Sequence, residues 1–179
     1  MKGKSQVFSG ELTIAYIIFM IVFITVVYMW TSVIRDIFES ETLNELETTA
    51  ADMSENLLKA PGFPENWSKS DVESVGLVNT SRSLNEDKIV DFIELMDSAS
   101  FDDYCEPGIS NYECNKHLTV VGAYDFYFTM EYLNGSLLYV QGVSCMTGKQ
   151  PSDETQKVTM TRTALLNETI IRAKVTVWK

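Results

Sequence analysis

The sequence has few of the side chains on which most catalytic and metal sites depend. It contains one histidine, His117, and three cysteines. No G-x-S-x-G, Walker, G-x-G-x-x-G or H-E-x-x-H motif occurs, so no common nucleophilic, phosphate, dinucleotide or zinc-protease site is marked. The adjacent acids Asp102-Asp103 and Glu86-Asp87 remain, but such pairs in polar segments are typical of a solvated surface. We therefore predict no catalytic residues and no cofactor.

Positive charge is also scarce. The chain has 14 Lys and Arg against 25 Asp and Glu, a formal net charge of −11. A nucleic-acid partner requires a basic surface, usually with aromatic residues among the Lys and Arg. Because the sequence contains no such cluster, we predict that the protein does not bind nucleic acid.

One stretch has no charge at all. It runs from Leu12 to Ile34, between Glu11 and Arg35. At about 1.5 Å per residue, these roughly 23 residues form a helix of about 34 Å, enough to cross a hydrocarbon core of about 30 Å. A removable secretory signal is the alternative, but its apolar region would be only about 7–15 residues long. We therefore predict a transmembrane helix over residues 12–34, after a basic tail over residues 1–11.

The charges on the two sides of this stretch predict its orientation. Lys2 and Lys4 precede it, whereas Arg35 is followed by a run of acids: Asp36, Glu39, Glu41, Glu45 and Glu47. Basic residues favour the cytoplasmic side, so we predict a single-pass cell-membrane protein with a cytoplasmic N-terminus and an extracytoplasmic head. Candidate glycosylation sites fit this placement, because all four sequons follow the stretch: Asn66, Asn79, Asn134 and Asn167.

Helical spacing continues beyond the predicted span. Apolar residues recur at intervals of three and four, with acids between them: Ile37, Phe38, Leu43, Leu46, Ala50, Met53, Leu57 and Leu58. Ala60-Pro61-Gly62 then ends the pattern. We predict an amphipathic continuation over residues 35–60, as one helix with the span or as a second coaxial piece, that packs on a head formed by residues 61–179.

The head begins with helical signals and then changes to strand signals. Leu84–Met96 has helical spacing, with Ser83 as its predicted cap. Ser98–Lys116 is predicted to be a loop. Apolar residues then alternate up to Tyr132, which predicts a strand. Asn134-Gly135 predicts a type I′ turn, with Leu137–Val143 returning as the partner strand.

A second hairpin completes the predicted sheet. Lys157–Leu165 and Ile170–Trp178 alternate in the same way and are joined around Asn167-Glu168. The fold class is therefore α+β, with the long N-terminal helix and the helix after Ser83 covering one face of an antiparallel sheet of about four strands.

The cysteines allow more than one interpretation. Cys105, Cys114, His117 and Cys145 could bind zinc, and Cys114-x-x-His117 has ligand-like spacing, but the eight residues between Cys105 and Cys114 do not match a zinc knuckle. In an exported domain a Cys105–Cys114 disulfide is simpler. Cys145 is then either buried or available to a partner.

Glu11 lies directly before the apolar stretch and has two interpretations. An ionisable residue at the membrane edge is costly unless it is paired, so Glu11 is a candidate for pairing with a partner's charge. Alternatively, it lies among the lipid headgroups and favours the positive end of the helix dipole.

The N-terminus resembles a known family. A basic residue and Gly3, then Gln6-Val7-Phe8-Ser9-Gly10-Glu11 running into a charge-free helix, resemble the class III signal peptides of archaeal type IV pilin-like proteins. Further elements are similar to parts of the ectodomains of that family: Leu57-Leu58-x-x-Pro61-Gly62-x-Pro64-x-Asn66-Trp67, Gly76-Leu77 and Val175–Trp178.

The resemblance implies a leader, an assembly mode and partners. A membrane-embedded prepilin-type peptidase would cut in a leader region that includes Gly3 and Gln6. A cut after Gly3 makes Glu11 the eighth residue, and a cut after Gln6 makes it the fifth, which is the family's spacing. The resemblance further implies that Glu11 pairs with the terminal amine of a neighbouring subunit, and that the helix packs against other pilin-like subunits in a surface filament.

Two functions follow as expectations. The first is a membrane-anchored structural or assembly protein, a minor pilin or pseudopilin of an archaeal type IV pilus-like system. The alternative is a signal-anchored ectodomain that acts as a cell-surface binding module or adhesin, with the helix as a tether. An enzyme ranks behind both.

Overall fold

A computed structural model describes residues 4–79, 83–102, 105–153 and 156–179. The chain divides into two compact units, Met1–Leu43 and Asn44–Lys179, and we call the second unit the head. The helices are α1 at Lys4–Lys59, α2 at Glu86–Leu95 and α3 at Asn111–Asn115, followed by a short 3₁₀ turn at Lys116–Leu118. The strands are β1 at Asp125–Tyr132, β2 at Tyr139–Val140, β3 at Val143–Ser144, β4 at Met146–Gly148, β5 at Lys157–Leu166 and β6 at Thr169–Trp178.

Four antiparallel strands form the main sheet, in the order β4-β1-β6-β5. β6 is central and pairs along its whole length with β5, from Lys157 opposite Trp178 to Leu166 opposite Thr169. Its other side pairs with β1, and β1 pairs with the short β4. β2 and β3 form a separate two-stranded sheet. The long helix and the four-stranded antiparallel sheet agree with the predicted α+β class.

The core lies between the inner face of the sheet and two helices. β1 buries every second residue, because successive side chains of a strand point to opposite faces. β6 does the same, and α1 and α2 add one apolar side each to the same cluster. The phenyl ring of Phe92 on α2 meets that of Phe128 edge to face, with 5.3 Å between ring centroids. The core residues from the sheet and α1 are Phe126, Phe128, Met130, Ile171, Ala173, Val175, Val177, Leu46, Ala50, Met53 and Leu57.

In the predicted amphipathic continuation, burial begins further along the helix than the spacing of its apolar residues predicts. α1 is one continuous helix rather than two pieces. Its buried residues start at Leu46, whereas Ile37, Phe38 and Leu43 are exposed. The apolar pattern alone does not distinguish the part of a helix that meets the head from the part that does not.

The predicted first hairpin is wrong in its turn and in its partner strand. Gly135 has a φ of 87° and its N–H donates to the carbonyl of Tyr132. This gives a three-residue loop closed by Ser136 rather than a two-residue type I′ turn. Asn134 has no positive φ, and its side chain instead accepts hydrogen bonds from the N–H and the hydroxyl of Ser136. The local Asx turn therefore replaces the left-handed conformation that type I′ requires at this residue.

Beyond this loop the chain does not continue as one strand. Leu137–Val143, predicted as the partner of β1, forms one isolated antiparallel bridge with it, Glu131 opposite Leu137, in which Leu138 N–H donates to Met130 O at 3.0 Å. Gln141 and Gly142, both with positive φ, turn β2 back into β3. The three residues of β4 then take the edge position beside β1.

Two local predictions about helices are also corrected. Asn85, rather than Ser83, caps α2, because its side-chain oxygen accepts from the N–H groups of Asp87 and Lys88. The predicted loop Ser98–Lys116 contains α3, which Ser110 caps. Five residues are too few to show a helical period in the sequence.

The turn after α1 is held by contacts of Lys88, Trp67 and Gly76, which we call the clasp. The Lys88 ammonium donates to the carbonyls of Pro61, Glu65 and Val78 at 2.7, 2.6 and 3.2 Å. Burial lowers the pKa of Lys88. Trp67 Nε1 donates to the carbonyl of Pro61 at 3.1 Å. The ammonium therefore satisfies three carbonyls that converge on one point of the head.

Gly76 is the third residue of the clasp. Its carbonyl accepts from Trp67 Nε1 at 2.8 Å. A Cβ at this position would lie 2.3 Å from the backbone nitrogen of Gly62 and 2.4 Å from the carbonyl oxygen of Ala60, so no larger residue fits. The prolines, tryptophan and glycines that carry the ectodomain resemblance thus have a structural role in this chain.

We expect Lys88→Met to lower the free energy of unfolding of the head by about 2–4 kcal/mol, because the carbonyls of Pro61, Glu65 and Val78 lose the charged donor that they share. Chemical unfolding followed by tryptophan fluorescence measures this change. The control is Lys59→Met, which loses one exposed ion pair with Glu55 and should cost at most about 0.5 kcal/mol. Equal losses in the two variants would contradict the clasp.

Candidate functional site

The candidate functional site is the charge-free part of α1, Leu12–Ile34, which we call the apolar segment. Among the described residues, this is the one helix that is long and apolar enough to cross a membrane, and none of its most apolar 18 residues is buried. Large side chains at its middle are exposed, including Val22 at 56% and Phe23 at 53%. Exposed apolar surface on this scale requires lipid or another protein to cover it.

Two threonine hydroxyls of the apolar segment bond to backbone carbonyls of the same helix. The Thr25 hydroxyl donates to the carbonyl of Ile21 at 2.8 Å, and the Thr31 hydroxyl donates to that of Val27 at 2.8 Å. In lipid, each unsatisfied polar group would cost several kcal/mol. Local pairing of these hydroxyls therefore makes the segment compatible with a hydrocarbon environment.

Glu11 is the charge next to this surface. It lies on α1 directly before the segment, and its side chain is exposed. Within the described ranges, the Glu11 carboxylate has no hydrogen bond or ion pair. Gln6 belongs to α1, but its side chain lies outside the described part of the structure, as does the whole of Gly3. The Glu11 carboxylate is thus exposed at the beginning of the apolar segment.

The structure brings two of the three cysteines together. Cys105 and Cys114 form a disulfide, with 5.9 Å between their Cα atoms. Cys145 is a free thiol in the core, where burial raises its pKa to about 11. His117 Nδ1 lies 2.8 Å from the carbonyl of Cys114. No group of three or more potential metal ligands is found in the part of the chain that the structure describes.

The sequon asparagines are at the surface of the head. Asn66, Asn79, Asn134 and Asn167 are all exposed. The Asn167 amide donates to Glu86 Oε1 at 2.6 Å. Ser81, the third residue of the Asn79 sequon, lies outside the described residues. Exposure makes these sites accessible to modification and does not by itself assign it.

A polar cluster at the start of β1 was not predicted from the sequence. Asp125 accepts from the Tyr112 hydroxyl at 3.1 Å, from Lys116 at 3.1 Å and from Lys149 at 2.9 Å. Burial alone would raise the pKa of the Asp125 carboxyl. The hydrogen bonds from Lys149 and Lys116 together have the larger effect, so this pKa is lowered. These residues come from α3, the 3₁₀ turn, β1 and the loop after β4, and no sequence spacing links them.

The same cluster ties the loop region to the sheet. The Tyr112 hydroxyl, which donates to Asp125, also accepts from the Phe126 N–H at 2.9 Å. Burial raises the pKa of Tyr112. The cluster thus holds α3 against the first residues of β1, which is a structural role.

Comparisons with known proteins were made against family models, curated proteins and solved structures. No match was found in any of them. Among the features of this chain, the apolar segment with Glu11 points most directly to a function.

We expect Cys105→Ser combined with Cys114→Ser to lower the free energy of unfolding by about 2–3 kcal/mol, because the disulfide closes a short loop in the unfolded chain. Thermal unfolding with and without reductant measures this effect. Reductant should lower the unfolding temperature of the native chain and of a Cys145→Ala control, but not that of the double variant. A native chain insensitive to reductant would contradict the prediction.

Proposed function

We propose that this protein is a membrane-anchored pilin-like subunit, a minor pilin or pseudopilin of an archaeal type IV pilus-like system. The observation that carries the proposal is the exposed apolar segment, which continues without a break into the helix that enters the core of the head. In this proposal, lipid covers the segment first, and the equivalent segments of other pilin-like chains cover it after assembly.

The continuity of α1 favours an assembly role over a simple tether. A tether needs only an apolar span and a linker, and a linker of Gly, Ser or Pro residues would serve. Here the residues that follow the segment remain helical, and Leu46, Ala50, Met53 and Leu57 are part of the head core. The segment and part of the head core thus belong to one helix, and in this proposal the helix serves as an assembly interface.

Glu11 would set the register of that packing. An unpaired carboxylate beside an apolar interface is costly, whereas a carboxylate paired with a partner's cation is tolerated. The proposed cation is the terminal amine of a neighbouring subunit, exposed after a prepilin-type peptidase removes the leader. The proposal places the N-terminus in the cytoplasm before cleavage and the head outside the cell.

A signal-anchored adhesin is the second candidate. The head exposes isolated large apolar side chains that could contact a ligand, including Phe63, Phe101 and Tyr139. In this case the apolar segment would only hold the head at the cell surface. The two functions differ in whether the sequence of the segment matters beyond its ability to span the membrane.

We expect Glu11→Ala to reduce co-purification of the native-length protein with its pilin-like partners by about tenfold, because the pairing charge is lost from an apolar interface. Quantitative mass spectrometry of the affinity-purified assembly measures this. Glu41→Ala, at an exposed acid on the same helix, is the matched control and should have little effect. Unchanged co-purification of the Glu11 variant would exclude the pairing role.

Replacement of Leu12–Ile34 by an unrelated spanning helix of equal length separates the two candidates. We expect the chimaera to insert in the membrane and to keep a folded head, but to be lost from the assembly, since the packing surface is gone. Membrane fractionation and co-purification report these two properties independently. A chimaera that retains full function would favour the adhesin.

A further inference from the structure

Charge is distributed unevenly over the chain. Residues 36–55 contain seven acids and no basic residue: Asp36, Glu39, Glu41, Glu45, Glu47, Asp52 and Glu55. Residues 157–179, which form the β5–β6 hairpin, contain five basic residues and one acid: Lys157, Arg162, Arg172, Lys174, Lys179 and Glu168. The head of an acidic protein thus carries a basic region that belongs to a single hairpin.

The outer face of this hairpin is basic and hydroxyl-bearing. We define the basic sheet face as the β5 and β6 residues that point away from the core: Lys157, Thr159, Thr161, Thr163, Arg172, Lys174 and Thr176. Thr161 lies opposite Lys174 and Thr163 lies opposite Arg172, so cations and hydroxyls alternate across the strands. The hydroxyls of Thr159 and Thr176 are 2.9 Å apart.

Most of the positive charge on this face is not neutralised within the head. Lys174 pairs with Glu131 on β1 at 2.7 Å. Among the described residues, Lys157 and Arg172 have no acidic partner within 4 Å. Lys157 is exposed, and Arg172 is half-buried and donates to the Leu133 carbonyl at 3.4 Å. Within the described part of the head, the charges of these two cations are therefore not balanced by an acid.

A surface of opposite sign lies on α1 within the head, although Glu55 pairs with the exposed Lys59 and Glu45 accepts from the Tyr124 hydroxyl. We define the acidic helix stripe as Glu45, Thr48, Asp52 and Glu55, which recur at intervals of three and four and so share one side of the helix. All four are exposed, and the buried residues of α1 such as Ala50 and Met53 occupy the other side. The stripe is thus the outside of the helical layer, and the basic sheet face is the outside of the sheet layer.

We propose that the basic sheet face of one copy docks on the acidic helix stripe of a second copy. Charge complementarity argues for this occupant, since patches of opposite sign steer and register such contacts. The two surfaces are different and belong to different layers of one head, so the contact is heterologous. A heterologous contact leaves one free surface of each kind at its two ends and therefore propagates into a ring or an open filament.

This inference rests on the proposed function, because it supplies the contact between heads that would accompany packing of the apolar segments. It assigns the hairpin a role that the apolar segment does not have. Its energy should depend strongly on ionic strength, since both surfaces are exposed and screened by salt. Packing of the apolar segments should depend much less on ionic strength.

The test uses two charge-reversal variants of the full chain in detergent. The sheet variant is Lys157→Glu with Arg172→Glu, and the helix variant is Asp52→Lys with Glu55→Lys. Sedimentation velocity measures self-association at low and high ionic strength. We expect each variant alone to associate about tenfold more weakly than the native chain at low ionic strength, because like charges then face each other. An equimolar mixture of the two variants should recover association.

The control has the same change in net charge as the helix variant, at exposed acids outside both surfaces, Glu73→Lys with Glu106→Lys. It should associate like the native chain. The inference is overturned if the native chain stays monomeric at low ionic strength, if either charge-reversal variant associates as well as the native chain, or if mixing does not restore association. Binding of anionic phospholipid vesicles by the sheet face, with self-association unaffected by its reversal, would assign the face to lipid and also overturn it.

Cysteine cross-linking gives the direction of the contact. Thr48→Cys and Thr161→Cys place one thiol at the middle of each surface, and Cys145 is buried and does not compete. A disulfide should form in the mixture of the two single variants and not in either alone. Cross-linking within the Thr161→Cys variant alone would indicate a symmetric sheet-to-sheet contact and overturn the inference.

The same charge-reversal pair in the chimaera with a replaced apolar segment separates this inference from the proposed function. If the charge effects persist in the chimaera and the chimaera still joins its assembly, the proposed function fails while the head contact stands. If the chimaera is lost from the assembly but the charge reversals have no effect in either chain, only the head contact fails.

Discussion

The structure depends on one constraint, which is that a single helix carries an apolar surface that its own chain does not bury. Leu12–Ile34 has no charged residue, and the hydroxyls of Thr25 and Thr31 bond to its own backbone carbonyls. Such a surface is stable only when lipid or protein covers it. Glu11, at its beginning, is a charge whose cost in either environment falls when a partner cation is present. The proposed function follows from what could satisfy both requirements together.

The head is built around the other part of the same helix. Leu46, Ala50, Met53 and Leu57 complete a core whose other members come from β1, β6 and α2. The clasp of Lys88, Trp67 and Gly76 then fixes the turn in which α1 ends. One helix thus contains both the exposed apolar segment and residues of the head core. The acidic and basic surfaces are the outer sides of the layers that this core joins.

The sequence was informative where one physical signal dominates over many residues. Lack of charge located the apolar segment, and alternation located β1, β5 and β6. It failed where pairing is non-local or the element is short. Met146–Gly148 has three residues and no period, and only the neighbouring β1 makes it a strand. Asn134-Gly135 has the composition of a type I′ turn, but the side chain of Asn134 bonds to Ser136 and favours another turn. The cluster around Asp125 joins four separate segments, so no local pattern could indicate it.

Photo-cross-linking from the middle of the apolar segment tests the central claim most directly. A photoreactive residue at Val22, which is exposed, labels whatever covers the helix in the native cell. We expect two classes of adduct. Protein in the membrane should be cross-linked to lipid, and protein in the assembly should be cross-linked to the apolar helix of another pilin-like chain. Adducts with lipid alone, in cells that contain the complete assembly, would contradict it and leave the helix as a tether.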